Sequence, residues 1–243
     1  MRPVTIILPT FNERGNIERL IAEIIRHLSG EFEIIVVDDD SPDRTWEAVS
    51  GLSERDPRIR LIRRRADPGL TRSLREGIAA ARHDRVIWMD ADFAHPPALL
   101  PALLSVPDDF DIVVASRYVP GGSDGRKSAP RKMVSVLLNA ISRRVLGSAV
   151  HDLSSGYLRA KKSVFETVPL RGEYGDYCID FLARAEKHGY RITEVPYTNV
   201  ERREGYSKTT PNPLIFSRLA IIYLVTLFKL RSAIKRERLG TKP

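Results

Sequence analysis

The sequence predicts an α/β fold: a mostly parallel, twisted sheet flanked by helices. Three observations carry that prediction. Short, almost wholly apolar strands alternate with amphipathic helical segments through the first 115 residues. Acidic or turn-forming residues follow directly after the strands, where open α/β sheets place their ligands. The composition, 42% hydrophobic and 29% charged over 243 residues, is that of an ordinary globular chain, so disorder and collagen-like structure are excluded. Cys178 is the single cysteine, which rules out an intrachain disulfide and a cysteine-built zinc site.

The elements follow in order. Val4 to Leu8 is the first apolar strand, ending at Pro9; it is too short for the apolar region of a secretory signal, so the protein is expected on the cytosolic side. Ile17, Leu20, Ile21, Ile24, Ile25 and Leu28 recur at helical spacing and predict one apolar helix face starting near Asn16. Phe32 to Val37 is a second strand, and Trp46, Val49 and Leu52 mark a short helix. Arg60 to Ile62 is a third strand, Leu70, Leu74 and Ile78 a further helix face, Arg85 to Met89 a fourth strand, and Asp111 to Ala115 a fifth. Residues 118–132, with three Gly, two Pro and four basic residues, read as a mobile loop. Met133 to Leu146 and Ile179 to His188 then read as helices, Arg191 to Val195 as a late strand, and residues 201–213 as a second basic loop.

Leu214 to Leu230 is apolar apart from Ser217, Arg218, Thr226 and Lys229. A spanning helix needs about 20 predominantly apolar residues, and the uncharged run from Leu219 to Phe228 falls well short of that. A narrow polar stripe on a broad apolar helix suits a helix lying in the membrane interface, and it suits equally a C-terminal helix docked on the core.

Charge is distributed unevenly. The formal net charge of +8 combines 15 basic and 19 acidic residues in 1–110 with 24 and 12 in 111–243. The basic second half points to an anionic partner. Its tail, residues 229–243, carries no aromatic residue among its cations, which favours an anionic membrane surface over nucleic acid.

Two acidic turns carry the chemistry. Asp90 and Asp92, two residues apart after an apolar strand, are hard oxygen ligands suited to Mg²⁺ or Mn²⁺, and such an ion would hold a diphosphate. Asp38, Asp39 and Asp40 end another strand and repel one another unless cations or hydrogen-bond donors neutralise them; Ser41 and Asp43 are candidate helix caps. Neither a G-x-G-x-x-G nor a phosphate-loop motif is present.

Leu8-Pro9-Thr10-Phe11-Asn12-Glu13, Val37 to Thr45 and Met89-Asp90-Ala91-Asp92 resemble glycosyltransferase family 2, with the nucleotide-diphosphosugar transferase (GT-A) fold. Ser116-Arg117-Tyr118, Asp152 to Arg159 and Glu201 to Lys208 resemble its dolichyl-phosphate mannose synthase branch. The resemblance implies a catalytic unit over 1–212, with a nucleotide-sugar half (1–115) and an acceptor half (116–212), followed by a membrane-associated helix and basic tail (213–243). It implies a nucleotide pocket of Pro9, Phe11, Glu13, Val37 and Asp39, the last reading the base. It places metal and donor diphosphate on Asp90 and Asp92 with the Ala91 backbone nearby, phosphate contacts on Arg117, Arg202 and Lys208, and the acceptor phosphate on Arg117, Arg131 and Ser135. Asp92 and Arg117 are then the catalytic residues.

The implied reaction moves mannose from GDP-mannose to dolichyl or polyprenyl phosphate with inversion, at the cytoplasmic face of a membrane, with a small membrane-anchoring protein as a further partner. A UDP-glucose donor is the alternative, and a non-catalytic nucleotide- or nucleic-acid-binding module a third reading. The sequence departs from the family pattern twice. Ala94 stands where a further metal-shell residue is usual, leaving that role to water or His95, and Arg44 replaces the usual glycine of the S-P-D-G-T turn. His151 is expected to be a hydrogen-bonded structural histidine.

Overall fold

The computed structural model describes residues 2–172, 176–200 and 227–234. The chain runs β1 (Val4–Thr10), α1 (Ile17–His27), β2 (Phe32–Asp38), α2 (Thr45–Ser53), β3 (Ile59–Arg63), α3 (Leu70–Ala80) and β4 (Arg85–Trp88). It continues through α4 (Leu100–Ser105), β5 (Ile112–Ser116), β6 (Ser123–Asp124), α5 (Ala129–Leu146), β7 (Leu158–Lys161), α6 (Val164–Thr167), α7 (Asp176–Lys187), β8 (Ile192–Pro196) and β9 (Thr198–Asn199). The main sheet has the order β3-β2-β1-β4-β7-β5-β8. Its pairings are parallel except those of β7, which runs antiparallel to both β4 and β5.

Both faces of the sheet are buried, as continuous apolar strands require. Ile7, Val37, Trp88, Val114 and Leu158 point into one core with α3 and α7, while Ile6, Leu8, Val36, Met89 and Val113 point into the other with α1 and α4. Parallel pairing in register brings the carboxyl ends of β1 and β2 level at Thr10 and Asp38. Those ends and that of β4 form the edge where the acidic turns gather.

Strand β7 was not legible as a strand because charged residues alternate with its apolar ones. Its Arg159 is buried, and the guanidinium donates to the carbonyls of Leu103 in α4 and Val106 just after it, at 3.0 and 2.8 Å. Burial, then repulsion from Arg85, pushes its pKa down to about 10.

The predicted mobile loop 118–132 is corrected in two ways. Helix α5 begins at Ala129, four residues earlier than its apolar pattern suggests, with Pro130 in the first turn, where its missing N–H costs nothing. Upstream, β6 pairs with β9. A Cβ on Gly122 would sit 2.5 Å from the Ser116 oxygen, and one on Gly125 2.3 Å from that of Asn199, so these glycines permit close backbone approach.

Residues 227–234 are helical, and Leu227, Leu230 and Ile234 pack into the same core as Ile179 and Leu182. This described end of the predicted C-terminal helix therefore docks on the protein. Residues 201–226 and 235–243 lie outside the described residues. No helix among the described residues is long and apolar enough to cross a membrane.

Candidate active site

The first wall of the site is the pair of loops after β1 and β2, zipped together by hydrogen bonds. The Asn12 N–H donates to Ser41 Oγ, the Glu13 N–H to Thr45 Oγ1 and the Arg14 N–H to Asp43 Oδ2, each at 2.9 Å. Pro9 and Val37 pair across the strands, Phe11 is partly exposed beside them, and the Glu13 carboxylate accepts from Asn16 Nδ2 at 2.9 Å. The predicted pocket residues Pro9, Phe11 and Glu13 thus share one edge, whereas Val37, level with Pro9, buries its side chain in the core beneath α3.

The three adjacent aspartates are neutralised separately. Buried Asp38 accepts from the hydroxyls of Thr10 and Ser41, both at 2.7 Å, and from the Ser41 N–H at 2.8 Å, so Ser41 organises this turn and does not cap α2. Asp43 accepts from the Thr45 N–H at 3.0 Å. Asp40 pairs with Arg63 at 2.5 Å. Asp39 accepts at Oδ1 from Arg64 Nη1 (2.5 Å) and Ser73 Oγ (2.8 Å), and at Oδ2 from the Gly69 N–H (2.7 Å). Arg44 adopts the left-handed conformation (φ 62°, ψ 35°) and preserves the turn that a glycine would make.

The second wall follows β4. Asp92 is 2% exposed, and its Oδ1 accepts from the Ala94 N–H at 2.9 Å, whereas the side chain of Asp90 keeps 41% of its surface exposed. Ala91 between them is buried. His95 does not complete a metal shell. Its Nδ1 accepts from the Asp90 N–H at 2.9 Å, so in the neutral ring Nε2 carries the proton, 3.9 Å from Asp90 Oδ2. The ring stacks on Tyr157 with centroids 5.0 Å apart and meets Tyr197 edge-on at 6.1 Å. Among the described residues no three His, Cys, Asp or Glu side chains gather into a cage. Two carboxylates without a cage fit a hard cation that completes its shell with phosphate oxygens and water.

The third wall follows β5 and is held by a carboxylate that sequence reasoning left without a role. Arg117 is nine-tenths buried, and Asp152, fully buried, takes its Nε and Nη2 at 2.8 Å each and its backbone N–H at 3.0 Å. Nη2 also donates to Ser154 Oγ at 2.9 Å. This fork leaves the Nη1 edge pointing away from Asp152. Burial opposes the guanidinium's charge, but hydrogen bonding and attraction to Asp152 outweigh it and raise the pKa. Glu194 fixes the Asp152 loop by accepting the N–H groups of His151 (2.8 Å) and Asp152 (3.0 Å) and by bonding His151 Nδ1 at 2.9 Å; His151 is structural, as expected.

Helix α5 closes the site. The Tyr118 hydroxyl, whose ring lies 5.0 Å from the Arg117 guanidinium carbon, donates to Ser135 Oγ at 2.7 Å, so Ser135 and Arg117 are brought together. Arg131 lies in the first turn of α5. Tyr197 joins the second and third walls: its ring meets His95 edge-on, and its N–H donates to the Ser116 carbonyl at 3.0 Å. Arg202 and Lys208 lie outside the described residues. Asp152 sits in a motif visible in the sequence; Arg64 and Ser73 carried no signal, because their contacts to Asp39 span 25 and 34 residues.

A mostly parallel sheet with one antiparallel strand inserted, carrying paired aspartates after its fourth strand, matches the GT-A fold class of glycosyltransferases. Within that class the chain belongs to glycosyl transferase family 2, whose profile matches residues 5–168. It is 37% identical over 224 residues to a dolichol-phosphate mannosyltransferase of Pyrococcus furiosus, covering 90% of this chain and 62% of that protein, so the match spans less than two thirds of that relative. It is 35% identical over 211 residues to a polyprenol monophosphomannose synthase of Mycolicibacterium smegmatis, covering 84% and 79% of the two chains. An undecaprenyl-phosphate mannosyltransferase of Micrococcus luteus is 34% identical over 216 residues, covering 86% and 87%. Among solved structures, glucosyl-3-phosphoglycerate synthase from Mycobacterium tuberculosis in complex with Mn²⁺, UDP and phosphoglyceric acid shares the fold, with a TM-score of 0.69, 22% identity, and coverage of 95% of this chain and 78% of that one.

Proposed function

We propose that the protein transfers mannose from GDP-mannose to the phosphate of a dolichol or other polyprenol, with inversion, at the cytoplasmic surface of a membrane. The observation that carries this reading is the two-faced character of α5. One face bonds Tyr118 through Ser135, beside Arg117, and the opposite face leaves Met133, Val136 and Leu137 exposed at i, i+3 and i+4. A helix with a phosphate-binding side and a bare apolar side suits an acceptor that is anionic at its head and hydrocarbon behind. The names of the three relatives pair mannose with a polyprenol phosphate, which supports the same acceptor class. On this reading residues 1–115 hold the donor, residues 116–212 the acceptor, and residues 213–243 add a basic, membrane-facing tail that a small anchoring partner can join.

A phosphomonoester has its second pKa near 6, so the acceptor oxygen is already anionic at neutral pH and no general base is required. The Nη1 edge of Arg117, fixed by Asp152, orients the acceptor phosphate, with Ser135 and Arg131 on the neighbouring helix. Asp90 and Asp92 would hold Mg²⁺ or Mn²⁺, which would neutralise charge on the departing diphosphate. Pro9, Phe11 and Glu13 would enclose the nucleoside in front of the buried Val37, and Arg202 and Lys208 would contact the phosphates.

The test is transfer from labelled GDP-mannose, UDP-glucose and UDP-N-acetylglucosamine to a polyprenyl phosphate in detergent. Selective transfer of mannose is expected; no transfer from any of the three removes the lipid-acceptor reading.

The state of Asp39 favours a second donor. A carboxylate has about four lone-pair sites, and Arg64, Ser73 and Gly69 occupy three. One acceptor position matches the single N3–H of uracil better than the adjacent N1–H and N2–H donors of guanine. Tighter binding of UDP than GDP, each with Mn²⁺, would transfer the reading to a UDP-sugar.

A further inference from the structure

We propose that Asn139 is a positioning residue that sets the Arg117 guanidinium from helix α5, acting through Ser154. The inference rests on the reading of α5 as the acceptor-side helix. Asn139 is buried, one turn beyond Ser135, and its Nδ2 donates both to the Ser135 carbonyl at 2.9 Å and to Ser154 Oγ at 2.8 Å. Ser154 Oγ also accepts from Arg117 Nη2 at 2.9 Å and donates to Asp152 Oδ1 at 3.2 Å. One hydroxyl oxygen therefore takes a hydrogen from the helix and one from the guanidinium and returns its own to the guanidinium's counter-ion. Its donor and acceptor capacity is filled, so its position is fixed from three sides.

The orientation of Asn139 gives its two donor bonds precedence over its acceptor. Its Oδ1 is buried with no hydrogen-bond partner among the described residues, whereas buried side-chain polar atoms in folded proteins are overwhelmingly paired. The side chain satisfies its two donor bonds and leaves its own acceptor unmet. An apolar residue of the same size would fill the space without that deficit. It would lack the bonds to the Ser135 carbonyl and to Ser154, and with the second the link between α5 and Arg117.

The consequence is mechanical. Tyr118 to Ser135 and Ser154 to Asn139 are two ties one turn apart on α5, and the Arg117 fork lies between their anchor points. The helix that presents Met133, Val136 and Leu137 outward thereby fixes the register of the arginine on its inner side. Loss of the Asn139 tie leaves the Asp152 ion pair intact but unties Ser154 from α5, so Arg117 loses alignment and not charge.

The test compares wild type with Asn139→Leu, Ser154→Ala and the double variant in the polyprenyl-phosphate transfer assay, recording kcat, donor KM and melting temperature. Each single variant is expected to lower kcat about 10-fold, since small misplacements of a positioning group cost rate steeply. Donor KM should stay within about twofold. Asn139→Leu should melt no lower than wild type, and the double variant should be no slower than the slower single one, because both act through one bond. Should Asn139→Leu fail to fold, Ser154→Ala decides alone. Wild-type kcat in Ser154→Ala, additive losses in the double variant, or a fall confined to donor KM overturns the relay. A wild type that does not glycosylate polyprenyl phosphate sinks the acceptor reading instead, and is read before the variants.

Discussion

Replacing Met133, Val136 and Leu137 together by serine should detach the protein from lipid without unfolding it. The side of α5 that carries them faces away from the core, and they are 69%, 50% and 56% exposed. Full burial of such side chains is worth about 1.5–3 kcal/mol each, so their exposed parts together represent about 3–4 kcal/mol of apolar surface awaiting a hydrocarbon partner. At 1.4 kcal/mol per tenfold change, serine at all three should weaken partition into vesicles roughly 100-fold. Lys132 in the first turn of α5 and Lys127 just before the helix add attraction to anionic lipid of about 1 kcal/mol each, which salt should screen. The assay is co-flotation with vesicles of neutral and of anionic composition at low and high salt. Melting temperature should be unchanged, because these side chains contribute little to the core. Equal flotation of the triple variant and the wild type would refute the assignment of α5 as the lipid-facing element.

Other outcomes follow from single contacts. Asp92→Asn should weaken Mn²⁺-dependent nucleotide diphosphate binding, measured by calorimetry, by at least roughly 10-fold; unchanged binding would remove the metal assignment. Asp152→Asn leaves the buried Arg117 without a counter-charge and should cost about 3–5 kcal/mol in urea unfolding, and a cost under about 1 kcal/mol would show that the pair is not the clamp described. Arg44→Gly should raise stability by about 1 kcal/mol, because it relieves a left-handed backbone on a residue with a Cβ; a loss of stability would indicate that the arginine side chain holds the turn. For Glu33, burial raises the pKa, but the bonds from the Arg82 N–H, Arg60 and Thr5 outweigh it and hold the value below that of an ordinary carboxylate. A depressed folded pKa means that this stabilisation is complete above the unfolded value of about 4.3 and is lost as pH falls through the folded one. Urea midpoints measured from pH 7 down to pH 3 should therefore drop less in Glu33→Gln than in wild type, and parallel losses would refute the linkage.

Periodicity alone placed α1, β2, α2, β3, α3 and β5 to within a residue or two, because each buries a stripe or face whose spacing the chain must carry locally. The same logic located the acidic turns, since strand ends in a parallel sheet are where ligands can reach. Periodicity failed at β7, whose Arg159 is satisfied by carbonyls more than 50 residues away in sequence, and at the start of α5, where Lys132 and its polar neighbours hide the helix from an apolar count.

The site divides in the same way. The sequence by itself determined which side chains could do the chemistry: the aspartates after β2 and β4, the arginine after β5 and the acid-to-basic gradient along the chain. Only the tertiary structure decided how those groups are occupied. It committed Asp38 to its own turn, most of Asp39 to Arg64 and Ser73, His95 to orienting Asp90, and one edge of Arg117 to Asp152. The physical reason is that a residue type fixes a group's charge and hydrogen-bonding capacity, whereas how much of that capacity remains for a substrate depends on partners that only the folded chain brings within about 3 Å.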